Sequence, residues 1–394
     1  MINKIKSLAK ELKNDVIDIR RQIHQSPGLS FEEYETSNLI QSLLTSWNIE
    51  YDLLTETGIV ATIKGRNPEK KTVALRADID ALPIQEKNDC SYKSAIDGVM
   101  HACGHDAHTA MLLGASKILN DLKDDFEGTI KLIFQPGEEK LPGGASILIE
   151  KGVLKDVDLI IAQHVYPDLP CGEVGFHAGE FMASCDEINI TIKGRGGHAA
   201  KIKERDNTTV AAAKILCAIS ELSSEFNKEE RKNPIIIAFG SFIADGTYNV
   251  IPNEVTLKGT MRTFDENDRK NIKDKIHKLS SEIASDFNVE VDVFIEEGYP
   301  VLINNVGLTE SLRNSAKSFL GDNNVKEIPQ LMTAEDFAWY SHKTKACMYR
   351  IGTSNVEKGI VSKQHTPTFD IDEDALEIGM GLMVWLAIGC CLLN

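Results

Sequence analysis

The chain has no excess of basic residues. Lys and Arg number 43 against 59 Asp and Glu, a formal net charge of −16. Nucleic acid and anionic membrane both require a basic face, so neither is expected as the main partner. The eight cysteines (Cys90, Cys103, Cys171, Cys185, Cys217, Cys347, Cys390 and Cys391) lack the spacing of a small disulfide scaffold. With 394 residues the chain can bury a core without one. Reduced thiols and a cytoplasmic setting are expected. An apolar signal core is also missing, because charge begins at Lys4. The most apolar run, Met380 to Leu393, is too short to span a bilayer and contains Gly381 and Gly389. It predicts a docked C-terminal helix. There is no internal repeat and no low-complexity tract.

What is present reads as an ordinary soluble composition, long enough for two domains or for one domain with a large insertion. Ile2, Ile5, Leu8, Leu12, Val16, Ile19 and Ile23 recur at three- and four-residue spacing, which predicts an amphipathic helix ended by Pro27-Gly28. A second helix is expected over 32–47. Short apolar runs at 72–75, 129–134 and 157–162 read as buried strands, separated by helices over 107–122 and 144–151. Alternating strands and helices predict an α/β fold, a mostly parallel sheet with helices on both faces. Each of these strands runs into polar residues: Asp78 and Asp80, then Glu138 and Glu139, then His164. Ligands of open α/β sheets gather at the carboxyl ends of strands.

The pattern changes after residue 181. Ile188, Ile190 and Ile192 alternate with polar residues, as in a strand with one wet face. A β-α-β-β-α-β order follows up to about residue 297, which predicts an α+β domain with a four-stranded antiparallel sheet. Residues 182–297 are therefore expected to form an inserted lid domain. Residues 1–181 and 298–394 would form the catalytic, metal-binding domain, with late helices near 309–319 and 335–341.

The densest chemistry lies in Met100-His101-Ala102-Cys103-Gly104-His105-Asp106-Ala107-His108. A thiolate and an imidazole suit a borderline-soft divalent ion, with Cys103 able to bind one ion or bridge two. The alternative is a buried cysteine beside a capping run, with Asp106 as the cap. Glu138-Glu139 follows a strand and a Pro-Gly turn. One carboxylate can bind metal while its neighbour takes a proton from water. Taken singly, His164 reads as a structural residue at a strand end and His365 as a loop histidine. Gly194-Arg195-Gly196-Gly197-His198 reads as a turn or an anion loop, without the flanking context of a dinucleotide site.

Taken together, these segments resemble the amidohydrolase branch of the M20 metallopeptidase family, which includes N-acyl-amino-acid amidohydrolases, hippurate hydrolases and auxin-conjugate hydrolases. The resemblance is carried by Arg21-Gln22-Ile23-His24 with Pro27, Leu75–Pro83, Cys103–Asp106, Gln135–Glu139 and Gln163-His164. Further along, Gly194–His198, Asn249–Pro252, Thr333–Phe337 and His365–Pro367 extend it. It implies two divalent ions (zinc, manganese, cobalt or nickel) held by Cys103, His105, Glu139, His164 and His365. Glu138 is implied as general base and Asp80 as the residue orienting a ligand. His198 is implied at the oxyanion, and Asn249 with Arg262 at a substrate carboxylate. The implied activity is hydrolysis of the amide bond of a small N-acyl amino acid, with room for a homodimer through the lid. After His198 the chain departs from the family's common Met-Pro-His and Asp-Pro, with Ala200–Glu204 and Asn207-Thr208 instead. Rival readings are a dipeptidase or carboxypeptidase on the same fold, a thiol hydrolase with Cys103 as nucleophile, and a non-catalytic binding relative.

Overall fold

The apolar spacing of the first residues closes into α1 (Ile2–Gln25), which buries Ile5, Ala9, Val16 and Ile23. After the Pro27-Gly28 break comes α2 (Tyr34–Ser46). The structure, a computed structural model, describes residues 1–204, 206–227 and 233–392, without the side chain at 202. The chain divides into two units. One comprises Met1–Gly179, Ile303–Pro329 and Asp336–Asn394, the other Glu180–Leu302 and Gln330–Glu335.

In chain order the first unit continues with β1 (Glu50–Leu53), β2 (Ile59–Lys64), β3 (Thr72–Asp78), α3 (His105–Asp121), β4 (Thr129–Gln135), α4 (Gly144–Glu150), β5 (Leu159–Pro170) and β6 (Val174–Phe176). After β7 (Gly179–Met182) come β8 (Asp186–Lys193), β9 (Gly197–His198), α5 (Thr208–Phe226), β10 (Ile236–Ile243), β11 (Val250–Ile251), β12 (Glu254–Arg262), α6 (Glu266–Asp286) and β13 (Glu290–Glu297). After β14 (Leu302–Asn304) come α7 (Val306–Leu320), β15 (Val325–Glu327), α8 (Ala338–Ser341), β16 (Lys345–Ser354) and α9 (Asp374–Leu392).

The first unit holds one eight-stranded sheet in the order β1-β2-β4-β3-β5-β16-β6-β15. Its centre is parallel: β3 pairs with β4 and with β5, and β5 with β16. The edge pair β1-β2 and the β2-β4 pair are antiparallel. The central strands are buried almost throughout, as a sheet covered on both faces requires. Through α3 the chain steps from β3 to β4 in one direction. Through α4 it steps from β4 to β5 in the other. Right-handed crossovers therefore put these helices on opposite faces and make β3 the point where the winding reverses. α9 is apolar on all sides, with a mean hydropathy of 2.0, and is 72% buried. It packs against α1, α3 and α7, which makes it a core helix; Leu393 lies outside the described residues. The helix expected over 335–341 is shorter, only Ala338–Ser341. Asp336 is instead committed to partners on β3, on β4 and at the start of α4.

The second unit is an antiparallel sheet in the order β10-β12-β8-β13. Ile188, Ile190 and Ile192 of β8 face Val255, Leu257 and Met261 of β12 and the inner sides of α5 and α6 in one apolar core. Two helices covering a single sheet face are what that alternation requires, since it leaves one face apolar and the other wet.

Candidate metal centre

The carboxyl edge of the first unit's sheet gathers the acids, the thiol and the imidazoles. Cys103 ends the loop before α3, and Gly104 caps that helix at φ 91°. A Cβ on Gly104 would lie 2.5 Å from Val165 Cγ2, so only glycine fits between the loop and β5. The cap is thus Gly104, while Asp106 sits in the first turn, fully buried, accepting from Arg20 Nε at 2.7 Å and from His24 Nδ1 at 2.8 Å. Burial pushes the Asp106 carboxyl up, but the Arg20 and His24 charges outweigh it and hold the group far below the usual carboxylate range.

His105 opens α3 with its Nδ1–H donated to Asp80, at 3.0 Å to the carbonyl and 3.1 Å to Oδ1. This leaves Nε2 with a free lone pair, and that buried atom has no hydrogen-bond partner among the described residues. Asp80 Oδ2 accepts from Ser30 Oγ at 2.6 Å and from the Glu139 amide at 3.0 Å. One carboxylate therefore sets both the His105 ring and the Glu139 main chain. The turn before Glu138 depends on Gly137, at φ 62°, where a Cβ would meet the Phe31 ring at 2.3 Å. Glu33 Oε1 accepts the Gly137 amide at 2.9 Å and the Phe31 amide at 2.7 Å, and its Oε2 accepts from Thr57.

From β5, His164 donates Nδ1–H to the Val165 carbonyl at 2.8 Å and turns Nε2 toward Cys103 Sγ, 3.8 Å away. His365 arrives from a distant loop. Its amide bonds the Ala102 carbonyl at 2.8 Å, its φ is 59°, and its Nε2 lies 3.2 Å from Glu139 Oε1. Holding a histidine in the left-handed region costs energy that its neighbours must supply.

The donor atoms fall into groups compact enough to hold ions. Those of Cys103, Glu139 and His365 lie within 4.8 Å of one another, as do those of His105, Glu138 and Glu139. A third such group is Asp78, His105, His108 and His164. In that group His108 has both ring nitrogens engaged, Nδ1 with Asp78 Oδ1 at 2.5 Å and Nε2 with the Val165 amide at 2.8 Å. Cys103, His105, His164, His365 and Glu139 together offer a mixed sulfur, nitrogen and oxygen set that fits zinc or a neighbouring first-row ion. Hydrogen bonding to Cys103 and then to Glu139 pushes His365 up to about 10, while burial and the Glu139 charge push the Cys103 thiol up. These shifts favour positive charge beside Cys103 and Glu139, whereas burial and then the Arg350 charge hold His164 well below the usual imidazole range.

His198, Asn249 and Arg262 belong to the second unit. β9 and β11 form a short ribbon that pairs His198 with Val250, and the Ala199 amide bonds the Asn249 carbonyl at 2.8 Å. Both His198 and Asn249 are exposed. Arg262 ends β12, and its Nη1 has no hydrogen-bond partner among the described residues. The segment that departs from the family pattern holds a short 3-10 turn at Ile202–Glu204, with Lys201 paired to Glu204 at 3.0 Å. Its Ile202 side chain lies outside the described residues. Sequence reasoning missed His108, Glu33 and Ser30. Only His108 carried a signal, its place at i+3 from His105 on one helix face.

Comparison with known proteins shows the family. A family model described as peptidase family M20/M25/M40 matches residues 74–388. Thermostable carboxypeptidase 2 of Saccharolobus solfataricus is 36% identical over 392 residues, covering 98% of each chain. An N-acyl-L-amino acid amidohydrolase of Geobacillus stearothermophilus is 38% identical over 301 residues, 76% of this chain and 80% of that one. The solved structure of the Bacillus subtilis YxeP protein, described as a dinuclear metal-binding peptidase of the M20 family, superposes with a TM-score of 0.83. It is 32% identical and covers 96% of this chain and 98% of that one.

Proposed function

The chain belongs to peptidase family M20/M25/M40 and is a hydrolase, and from that premise we propose that it cleaves the amide bond of small N-acyl amino acids. The carrying observation is the convergence of Cys103, His105, Glu138, Glu139 and His365 donor atoms at one sheet edge. Cys103, His105, Glu139, His164 and His365 would hold two divalent ions. Bound there, they would supply a water of lowered pKa and polarise the acyl carbonyl. Glu138, which is not one of the proposed ligands, takes the proton of the attacking water and delivers it to the departing nitrogen. Asp80 keeps the His105 ring and the Glu139 main chain in register. We assign His198 to the developing oxyanion and Asn249 with Arg262 to the substrate carboxylate, where a planar guanidinium can bind in two-pronged fashion. This assignment rests on the resemblance.

A second reading has its own support, since a relative covering 98% of each chain is named a carboxypeptidase. The test is hydrolysis of a panel of N-acyl amino acids and dipeptides by protein stripped of metal and reloaded with zinc, manganese, cobalt or nickel. Acyl amino acids should turn over and the stripped protein should be inactive. A preference for dipeptides would favour the second reading. Glu138→Ala should keep two metals per chain and lose at least about a hundredfold in kcat; full turnover in that variant would remove Glu138 as the base. We further propose a cytoplasmic homodimer built through the second unit, whose β10 exposes Ile236, Phe242 and Ile243 along a sheet edge.

A further inference from the structure

Two sequence motifs are left over by this chemistry: Arg76 and Asp78 of the Leu75–Pro83 segment, and Asp336 of Thr333–Phe337. The fold joins them. Arg76 donates Nη2 to Asp336 Oδ1 at 2.7 Å, Nε to Gln135 Oε1 at 2.9 Å and Nη1 to Asp78 Oδ2 at 2.6 Å. Asp336 also accepts the Ala145 amide at the start of α4 and both possible bonds from Gln135 Nε2. Asp78 Oδ1 then accepts from His108 Nδ1, and His108 Nε2 accepts the Val165 amide. Arg76, Asp78, His108, Gln135 and Asp336 are each at most 1% exposed. A continuous buried chain of polar groups therefore crosses β4, β3 and β5 and reaches His105 and His164.

The end of that chain falls where the sheet runs out of hydrogen bonds. β3 pairs with β5 only as far as Arg76 opposite Ala162, and β3 stops at Asp78. β5 runs on alone on that side, past His164. A buried amide there needs an acceptor. His108 supplies it to Val165, and an N–H donor at Val165 forces His108 Nε2 to carry the lone pair and Nδ1 the proton. The same Val165 accepts Nδ1–H of His164 through its carbonyl. One residue's peptide groups thus set the aim of the His164 ring, and His108 holds that residue in place. The rings of His108 and His164 meet edge to face with centroids 4.4 Å apart.

We infer that His108 is a positioning residue, not a metal ligand: anchored through Asp78 and Arg76 to Asp336, it replaces the missing strand beside Val165 and so holds His164 Nε2 toward the metal. This rests on the metal-centre reading above, and the experiment separates the two. Cobalt(II) is titrated into metal-free wild type, His108→Leu, His108→Gln and Asp336→Asn, with affinity, ions per chain at saturation and the visible spectrum recorded, and circular dichroism as the folding check. Wild type should bind two ions. Leu fills the space without the bonds, so affinity for one ion should fall about tenfold or more, with shifted cobalt bands. Gln can donate to Asp78 and accept from Val165, so it should recover most of the loss. Asp336→Asn should show the same band shift in weaker form.

Two saturable ions in His108→Gln support a positioning role. Loss of one whole equivalent in both His108 variants would make His108 a ligand and overturn it, as would wild-type affinity and spectrum in His108→Leu. Should the Leu variant fail to fold, nitrogen-15 histidine spectra of wild type decide: Nδ1–H on His108, unmoved by zinc, is expected, and an Nε2–H tautomer overturns the inference. If wild type takes up no cobalt, the metal-centre reading itself fails.

Discussion

Single residues at this site are constrained more by their neighbours than by their own chemistry. Cys103 and His105 are placed by Gly104, whose φ of 91° and missing side chain let the loop lie against Val165. An alanine there would pay twice, once for left-handed backbone and once for a 2.5 Å approach to Val165 Cγ2. Left-handed backbone alone costs about 1–2 kcal/mol for a residue with a Cβ. Gly104→Ala should therefore lower unfolding free energy by at least that much in urea and weaken metal uptake; an unchanged midpoint would show that the loop relaxes freely. Cys103, His105, Glu138 and Glu139 stand out in the sequence as chemically marked residues after a strand or at a helix start, whereas His164 and His365, read singly as a structural and a loop histidine, joined the proposed ligand set only through the resemblance. Glu33 was not legible. It stands in a run of acids, Glu32-Glu33-Tyr34-Glu35, and nothing in that run says which one turns inward.

At the scale of elements, Glu33 shows how a cap becomes a clamp. It sits at the N-terminus of α2, fully buried, and fastens the Gly137 turn that carries Glu138. Burial pushes its carboxyl from an ordinary 4.5 up to about 7, against the opposing hydrogen bond from Thr57. Between those two values the folded chain holds a proton that the unfolded chain has released. Stability must fall as pH rises through that window and level off above about 7. The shift corresponds to roughly 3 kcal/mol at 1.36 kcal/mol per unit. Glu33→Gln keeps an acceptor and removes the titration. In metal-free protein, urea unfolding should show the Gln variant gaining roughly 2–3 kcal/mol on wild type between pH 5 and pH 8, and a constant difference would contradict this assignment. The same scale shows where periodicity stops informing. The alternation of β8 and the spacing of α1 were readable because each has one buried face. β16 is buried from Ala346 to Thr353 and has no wet face to give it a period, so a strand at the heart of the sheet left no pattern. β1 and β2 form a short antiparallel edge outside the alternating strand-helix order, which gave no expectation of them.

For the whole molecule, the net charge of −16 and the edge of β10 act in opposite senses on self-association. Long-range repulsion between like-charged copies opposes a dimer and is screened by salt. β10, with the sequence Ile-Ile-Ala-Phe-Gly-Ser-Phe-Ile, has no charged residue, pairs only with β12 among the described residues, and leaves Phe242 41% and Ile243 54% exposed. Edge strands that must stay unpaired usually carry a lysine, a proline or a bulge that twists the edge away. A bulge does interrupt this one between Phe239 and Ser241, but Phe242 and Ile243 lie beyond it. The two effects are separable by substitution. Phe242→Lys with Ile243→Lys reduces the net charge toward zero, which would strengthen a dimer limited by repulsion. The same change puts two solvated ammonium groups on the edge, which would break a dimer held by strand pairing. If the edge governs, sedimentation velocity should find wild type at twice the 43.5 kDa chain mass, tightening as salt rises, and the double lysine variant at the monomer mass with its fold retained. A wild type that sediments as a monomer at every salt concentration would leave the β10 edge without a role in assembly. A lysine variant that stays dimeric would move the interface elsewhere on the chain.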